Sequence, residues 1–217
     1  MAMKTNRGKA VALWLFAAAI AGVFFFFDDF LLVFMKTHAT PAVLAFGRLG
    51  SQYGQWNWLM VPCIVAAAIA WFRRDTACLR IICIMVAAST LAGLGANVVR
   101  GTTGRTRPSA SPEVVQGWHG PRANGGWVII KSEYNAFPSA HAAASMGLIL
   151  PLLLLRKRIG WLLLPVPILI GAARICVNGH RLSDVLCGAL LGAAIATWTT
   201  RKITPFIGPI QDKHAPP

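Results

Sequence analysis

Long apolar runs alternate with short polar ones along this chain. Six runs, at 10–34, 55–72, 79–99, 137–155, 159–177 and 183–200, approach or exceed the roughly 20 helical residues that cross a bilayer. Pro62, Pro151, Pro165 and Pro167 fall inside them, and membrane helices accommodate proline where neighbours satisfy the freed carbonyls. The pattern predicts an all-α fold, a polytopic membrane bundle of six transmembrane helices. Lys4, Arg7 and Lys9 precede the first run as in a secretory leader. The run nevertheless continues through Phe24, Phe25, Phe26 and Phe27 into Asp28 without a small-x-small cleavage site, so a retained helix is expected. Two polar segments are long. Residues 35–54 carry Gly47, Gly50 and Gly54, and residues 100–136 carry Trp118, Trp127 and several cations; both are expected on the outer side. Residues 1–203 are expected to form one domain, and 204–217, with four prolines, a flexible cytoplasmic tail.

Composition sharpens this. Apolar residues make up 56% of the 217 and charged residues only 13%, against about 25% charged in soluble domains. A net charge of +14 would suit nucleic acid in a soluble chain. Here the cations stand in short clusters between apolar runs and read as membrane flanks, so no nucleic-acid partner is expected. With the N-terminus in the cytoplasm, 12 Lys and Arg fall inside, in clusters such as Arg156-Lys157-Arg158, and nine fall outside. Both termini are therefore expected in the cytoplasm. Asp28 and Asp29 read as interfacial markers. Cys63, Cys78, Cys83, Cys176 and Cys187 show no CxxC pair and no Cys/His cluster, which leaves them as small hydrophobes rather than disulfide or zinc ligands.

Ionisable groups near membrane level are costly and mark function by default. Three clusters stand out, all on the expected outer side. The first, Arg100 to Pro108, offers Arg100, Arg105 and Arg107 within eight residues, and guanidinium forks match phosphate oxygens. The second, Phe137-Pro138-Ser139-Ala140-His141, opens the fourth helix, where free N–H groups and the positive dipole end suit an anion. The third holds Arg174, His180 and Asp184. His180 and Asp184 are four apart, so a carboxylate can orient the imidazole and prepare its other nitrogen as base or nucleophile.

Together, Arg100-x6-Arg107-Pro108, Pro138-Ser139-Ala140-His141 and Arg174-x5-His180-x3-Asp184 resemble the tripartite signature of the type-2 phosphatidic acid phosphatase superfamily, over about residues 55–200. Three positions depart from its usual pattern: Arg100 stands for lysine, Ala140 for glycine and Ala173 for serine. The resemblance implies a membrane enzyme working through a phosphohistidine without metal or other cofactor. His180 would be the nucleophile and Asp184 would orient it. His141 would protonate the leaving group and then activate water. Arg100, Arg107, Arg174, Ser139 and the N–H groups near Ala140 would hold the phosphoryl oxygens.

A site at the outer helix ends, near the headgroup plane, implies a lipid phosphate as substrate. Polyprenyl pyrophosphate, lipid A, phosphatidylglycerol phosphate and phosphatidic acid remain open, as does the oligomeric state. The 100–136 segment is expected to influence headgroup selectivity, and the site to face the periplasm or exterior of a bacterial inner membrane. A lipid phosphotransferase would use the same phosphohistidine with another acceptor. A small transporter fits poorly, because the charges gather at one face. An intramembrane serine protease using Ser139 or Ser183 would leave the arginines unexplained.

Overall fold

A computed structural model describes residues 22–207, together with residues 8, 11, 12, 14–16, 19 and 20. Lys4, Arg7, Lys9, much of the first apolar run and the tail beyond residue 207 lie outside the described residues. A 3-10 turn at Phe25–Phe27 leads into α1 (Asp28–His38), followed by α2 (Pro41–Tyr53), α3 (Trp56–Phe72) and α4 (Thr76–Thr103). A loop with one small hairpin, β1 (Arg122–Ala123) and β2 (Gly126–Trp127), precedes α5 (Ala140–Leu155), α6 (Lys157–Leu163), α7 (Pro165–Cys176) and α8 (Leu182–Ile207). The fold is overwhelmingly helical, as the apolar pattern predicts.

Among the described residues, three helical stretches, Thr76–Thr103, Lys157–Cys176 and Leu182–Pro205, are long and apolar enough to cross a bilayer alone. Gly22–His38 and Pro41–Tyr53, bent by 120°, supply a fourth if they form one span. The helices Trp56–Phe72 and Ala140–Leu155 are apolar but shorter. Element ends follow local chemistry. Asp75 accepts a hydrogen bond from the Cys78 N–H at 3.0 Å and starts α4 before the expected residue 79. Gly104 ends it in the left-handed region at φ 55°, where a Cβ would also collide with the Gly120 backbone. Pro165 divides α6 from α7, although Leu164 keeps helical angles.

Two expectations about loops are overturned. Residues 35–54 are not an outer loop, since Thr40 and Pro41 start a new helix there. Gly47, Gly50 and Gly54 are its contact face on α7: a Cβ at these positions would meet Val177, Ala173 and Ile170 respectively. Residues 204–207 are not tail but the last turn of α8.

α4, α5 and α8 form the centre of the bundle. Their contact is built from small residues, which let backbones approach where lipid gives no hydrophobic drive. Ala92, Ala96 and Ala143 are fully buried together. A Cβ on Gly147 would strike Ala88 and Ala92, one on Gly188 the Ser139 backbone, and one on Gly192 the Ala143 backbone. Ser89 Oγ donates to the Ala144 carbonyl at 2.9 Å. A second cluster, with Met60, Ile82, Met85, Leu148, Leu152 and Ile170, fills the space nearer the other end.

Candidate active site

The close packing of α4, α5 and α8 delivers all three sequence clusters to one end of the bundle. Arg100 lies in the last turn of α4, and its Nε donates to the Pro138 carbonyl at 2.8 Å. Thr103 Oγ1 donates to the Phe137 carbonyl at 2.9 Å, tying the first cluster to the second. Ser139 caps α5 by accepting from the Ala142 N–H, and its own N–H donates to the Asp184 carbonyl at 2.9 Å, tying the second cluster to the third. The turn after α7 folds back on Arg174, whose carbonyl accepts from Gly179 N–H at 3.0 Å and His180 N–H at 3.3 Å. A Cβ on Gly179 would sit 2.6 Å from Arg174 Nη2, so glycine gives that guanidinium its place.

His180 is only 2% exposed. Its Nδ1 donates to the Ala136 carbonyl at 2.7 Å. A carbonyl can only accept, so this contact puts the proton on Nδ1 and leaves the Nε2 lone pair free. Nε2 is buried without a hydrogen-bond partner among the described residues. Burial first, and then the positive charges of Arg100, Arg174 and Arg107, hold this imidazole well below the usual 6.5. His180 is therefore neutral at pH 7. His141 is likewise oriented by main chain: its Nε2 donates to the Ser51 carbonyl at 3.2 Å.

Asp184 departs from the expected arrangement. The Asp184 carboxylate stands 3.8 Å from His180 Nδ1, beyond hydrogen-bond reach. It accepts instead from the Arg181 N–H at 2.8 Å and from Arg105 Nη1 at 2.5 Å. The reason is competition: a guanidinium gives Asp184 a charge-assisted partner that a neutral imidazole cannot match. The Ala136 carbonyl takes over the orienting of His180.

The arginines divide into two groups. Arg105 is sandwiched between Asp184 and Asp28, at 2.7 Å from Asp28 Oδ2, and covered by the rings of Phe25, Trp118 and Phe137. Arg100, Arg107 and Arg174 have no carboxylate within 4 Å among the described residues. Arg100 Nη2, Arg107 Nε and Arg174 Nε are buried without any hydrogen-bond partner. Buried donors are nearly always paired, so three guanidinium N–H groups unpaired among the described residues, close to an unpaired His180 Nε2, form a cluster chemically suited to an oxyanion. No group of three His, Cys, Asp or Glu in metal-binding arrangement occurs among the described residues.

Every expected site residue thus gathers at one place, Ser139 and Ala140 at the start of α5 included. Sequence reasoning missed Asp28, Ser51 and Ala136. Asp28 is not an interfacial marker: it is 3% exposed and ion-paired. Ser183, weighed as a protease nucleophile, is fully buried in the same ion-pair cluster. Beside Arg100 and His141 lies a cavity of about 500 Å³, walled by Trp56, Gly93, Leu94 and Ala144 with Gln55, Thr90 and Asn97 as its further polar members. Trp56 and Leu94 are both exposed, so apolar surface is accessible at the cavity wall.

Comparison with known proteins bears on the fold and the family. Bacitracin transport permease protein BcrC of Bacillus licheniformis is 36% identical over 73 residues, covering 32% of this chain and 36% of that protein, about a third of its length. The fold resembles the crystal structure described as the first transmembrane PAP2 type phosphatidylglycerolphosphate phosphatase, from Bacillus subtilis. The TM-score is 0.59, with 90% of this chain and 98% of that one covered at 18% identity. A family model, the PAP2 superfamily, matches residues 79–206. That span contains all three sequence clusters, from Arg100 to Asp184, and with it the chain is placed as a multi-pass membrane protein that belongs to the PAP2 superfamily.

Proposed function

We propose that this protein is an integral membrane phosphatase that removes a terminal phosphate from a lipid phosphate or pyrophosphate. The observation that carries the reading is the pocket of three guanidiniums with orphaned N–H groups and no carboxylate, facing a neutral histidine whose Nε2 is free. Phosphoryl transfer needs positioning and neutralisation of oxyanion charge. Arg100, Arg107 and Arg174 supply that neutralisation without a metal, aided by the N–H groups at the start of α5.

In the first step His180 Nε2 attacks phosphorus and forms a P–N bond while the P–O bond to the lipid breaks. With Nε2–H held on the Ser51 carbonyl, His141 takes the proton of the bound phosphate at Nδ1 and passes it to the departing oxygen, which leaves as the lipid alcohol or, from a pyrophosphate, as the lipid monophosphate. In the second step His141 takes a proton from water, water oxygen attacks phosphorus, and the P–N bond breaks to release phosphate and free His180. The Ala136 and Ser51 carbonyls hold the two rings for these roles, and Asp184 acts through Arg105 and the Arg181 N–H.

The lipid character follows from the apolar cavity beside Arg100 and His141, which gives a tail a path to the bilayer. The same reading keeps six crossings, both termini in the cytoplasm of a bacterial inner membrane, and the site on the outer side. Purified protein given a panel of lipid phosphates and pyrophosphates should release inorganic phosphate, with turnover intact in EDTA and inhibited by vanadate. Transfer of the phosphate to a second lipid instead would make it a phosphotransferase; loss of turnover in EDTA, restored by magnesium or zinc, would overturn the metal-free mechanism. A cysteine placed at 110–130 in a cysteine-free background should react with an impermeant thiol reagent in intact spheroplasts. Reaction only after lysis would reverse the topology.

A further inference from the structure

We infer that Asp28, on the helix that precedes the family-matched segment, is a positioning residue of the active site. Asp28 is 3% exposed and its carboxylate bonds Ser183, at the start of α8, and Arg105. Its Oδ1 accepts from the Ser183 N–H at 2.8 Å, which caps a free N–H in the first turn of that helix. Its Oδ2 accepts from Ser183 Oγ and from Arg105 Nη2 at 2.7 Å. Arg105 passes the connection on, since Nη1 reaches both Ser183 Oγ at 2.7 Å and Asp184 Oδ1. Asp184 in turn holds the Arg181 N–H, next to His180.

Charge gives this arrangement its purpose. Arg105 is 7% exposed and enclosed by three aromatic rings, with its guanidinium carbon 4.7 Å from the Trp118 centroid and 5.2 Å from that of Phe25. A guanidinium there needs its charge matched locally. Asp184 alone would have to serve both Arg105 and the backbone of the His180 turn. With Asp28 on its second nitrogen, Arg105 stays fixed on the far side of Asp184 and is kept from joining Arg100, Arg107 and Arg174 on the substrate. The fixed carboxylate then sets the Arg181 N–H, and so the position of His180 Nε2. A displacement of about 1 Å in such a group can cost on the order of a hundredfold in rate.

The inference rests on the phosphatase reading, and its test separates the two. Full-length protein is purified as wild type, Asp28→Asn, Asp28→Glu, Arg105→Gln and the Asp28→Asn/Arg105→Gln double variant. Asn keeps an acceptor for the Ser183 N–H but removes the charge. Asp28→Asn should lose roughly 10- to 100-fold in kcat with KM within about threefold. Asp28→Glu should recover part of the loss. Because Asp28 acts through Arg105, the double variant should be no slower than Arg105→Gln alone. If Asp28→Asn fails to fold, Asp28→Glu carries the comparison, since it keeps every charge of the cluster and moves only the carboxylate; wild-type kcat and vanadate affinity in folded Asp28→Glu would then overturn the inference. Turnover of folded Asp28→Asn within twofold of wild type, or losses that multiply in the double variant, would overturn the inference. Orthovanadate binding, read as a shift in melting temperature, needs no lipid. It should weaken about tenfold in Asp28→Asn, and unchanged affinity would again overturn the inference. A wild type that binds vanadate but releases no phosphate from any lipid phosphate strikes the lipid reading and leaves the vanadate result to decide on Asp28. A wild type that does neither overturns both.

Discussion

Arg105 and Arg174 are the same residue type at the same end of the bundle, and the structure uses them in opposite ways. Arg105 lies in a closed layer behind the catalytic turn, where two carboxylates and a hydroxyl match its donors. Arg174, like Arg100 and Arg107, stands on the front side with a buried N–H that has no hydrogen-bond partner among the described residues. The layer behind has its charges matched by side chains, and the front does not. A charge with its partners in place builds the scaffold, whereas a buried charge without them is held for something that arrives.

The comparison breaks most sharply at His180. His180→Ala should reduce phosphate release by roughly a thousandfold or more, as loss of a covalent nucleophile does, with the melting temperature in detergent little changed. Near wild-type turnover would remove the nucleophile from the pocket and the mechanism with it.

Arg174 and Arg105 should then part company. Arg174→Ala should lose about 100- to 1000-fold in turnover, the scale of losing one group that stabilises transition-state charge. Its stability should stay level or rise, because an unmatched cation is removed. Arg105→Ala should instead lower stability by about 3–5 kcal/mol, since it strands Asp28 and Asp184 as buried charges. Melting curves and kinetics on the two variants check this. Equal destabilisation of both would erase the distinction between layers.

Ligand response sharpens it further. Orthovanadate near 100 times its Kd should add about 2.7 kcal/mol to wild-type stability, and markedly less to Arg174→Ala. Arg105→Gln should keep more of that response than Arg174→Ala. The reverse order would mean that Arg105 serves the anion.

The smallest effect concerns pH. His180 is held below 6.5 by burial and then by Arg100, Arg174 and Arg107. Attack requires the neutral ring, so activity should persist as pH falls through 6.5, and the acid limb of kcat/KM should lie lower. Arg100→Gln should move that limb only part way up, because burial, the larger cause, remains. The sign for folding is the same: below 6.5 the unfolded chain binds a proton that folded His180 resists, so stability declines as pH falls. An acid limb at or above 6.5 in the wild type would contradict the neutral buried histidine.

The pocket was far more legible in the sequence than the layer behind it. Arg107, Ser139, His141, Arg174 and His180 stand at fixed spacings beside helix ends, and such spacing survives without coordinates. Asp28 lies 77 residues before Arg105 and has no periodic relation to it. An acid at the edge of an apolar run looks like an interfacial marker until its partner is known. The usable signal was its cost, since a carboxylate near membrane level asks for a cation, and Arg105 was the spare one in the first cluster. Residues 35–54 were misread for a related reason. Gly47, Gly50 and Gly54 suggested a loop, but their spacing of three and four is also one face of a helix. α7 turns that face into a contact.

Both histidines are aimed by peptide carbonyls, His180 by Ala136 and His141 by Ser51. Side-chain replacement leaves a carbonyl in place, so a substitution screen would report positions 51 and 136 as tolerant. Genetics would draw the site as a ring of arginines and histidines with nothing beneath them. The supports would surface only through changes that move the chain itself, such as a one-residue insertion in α2 or an ester in place of the peptide bond after Ala136.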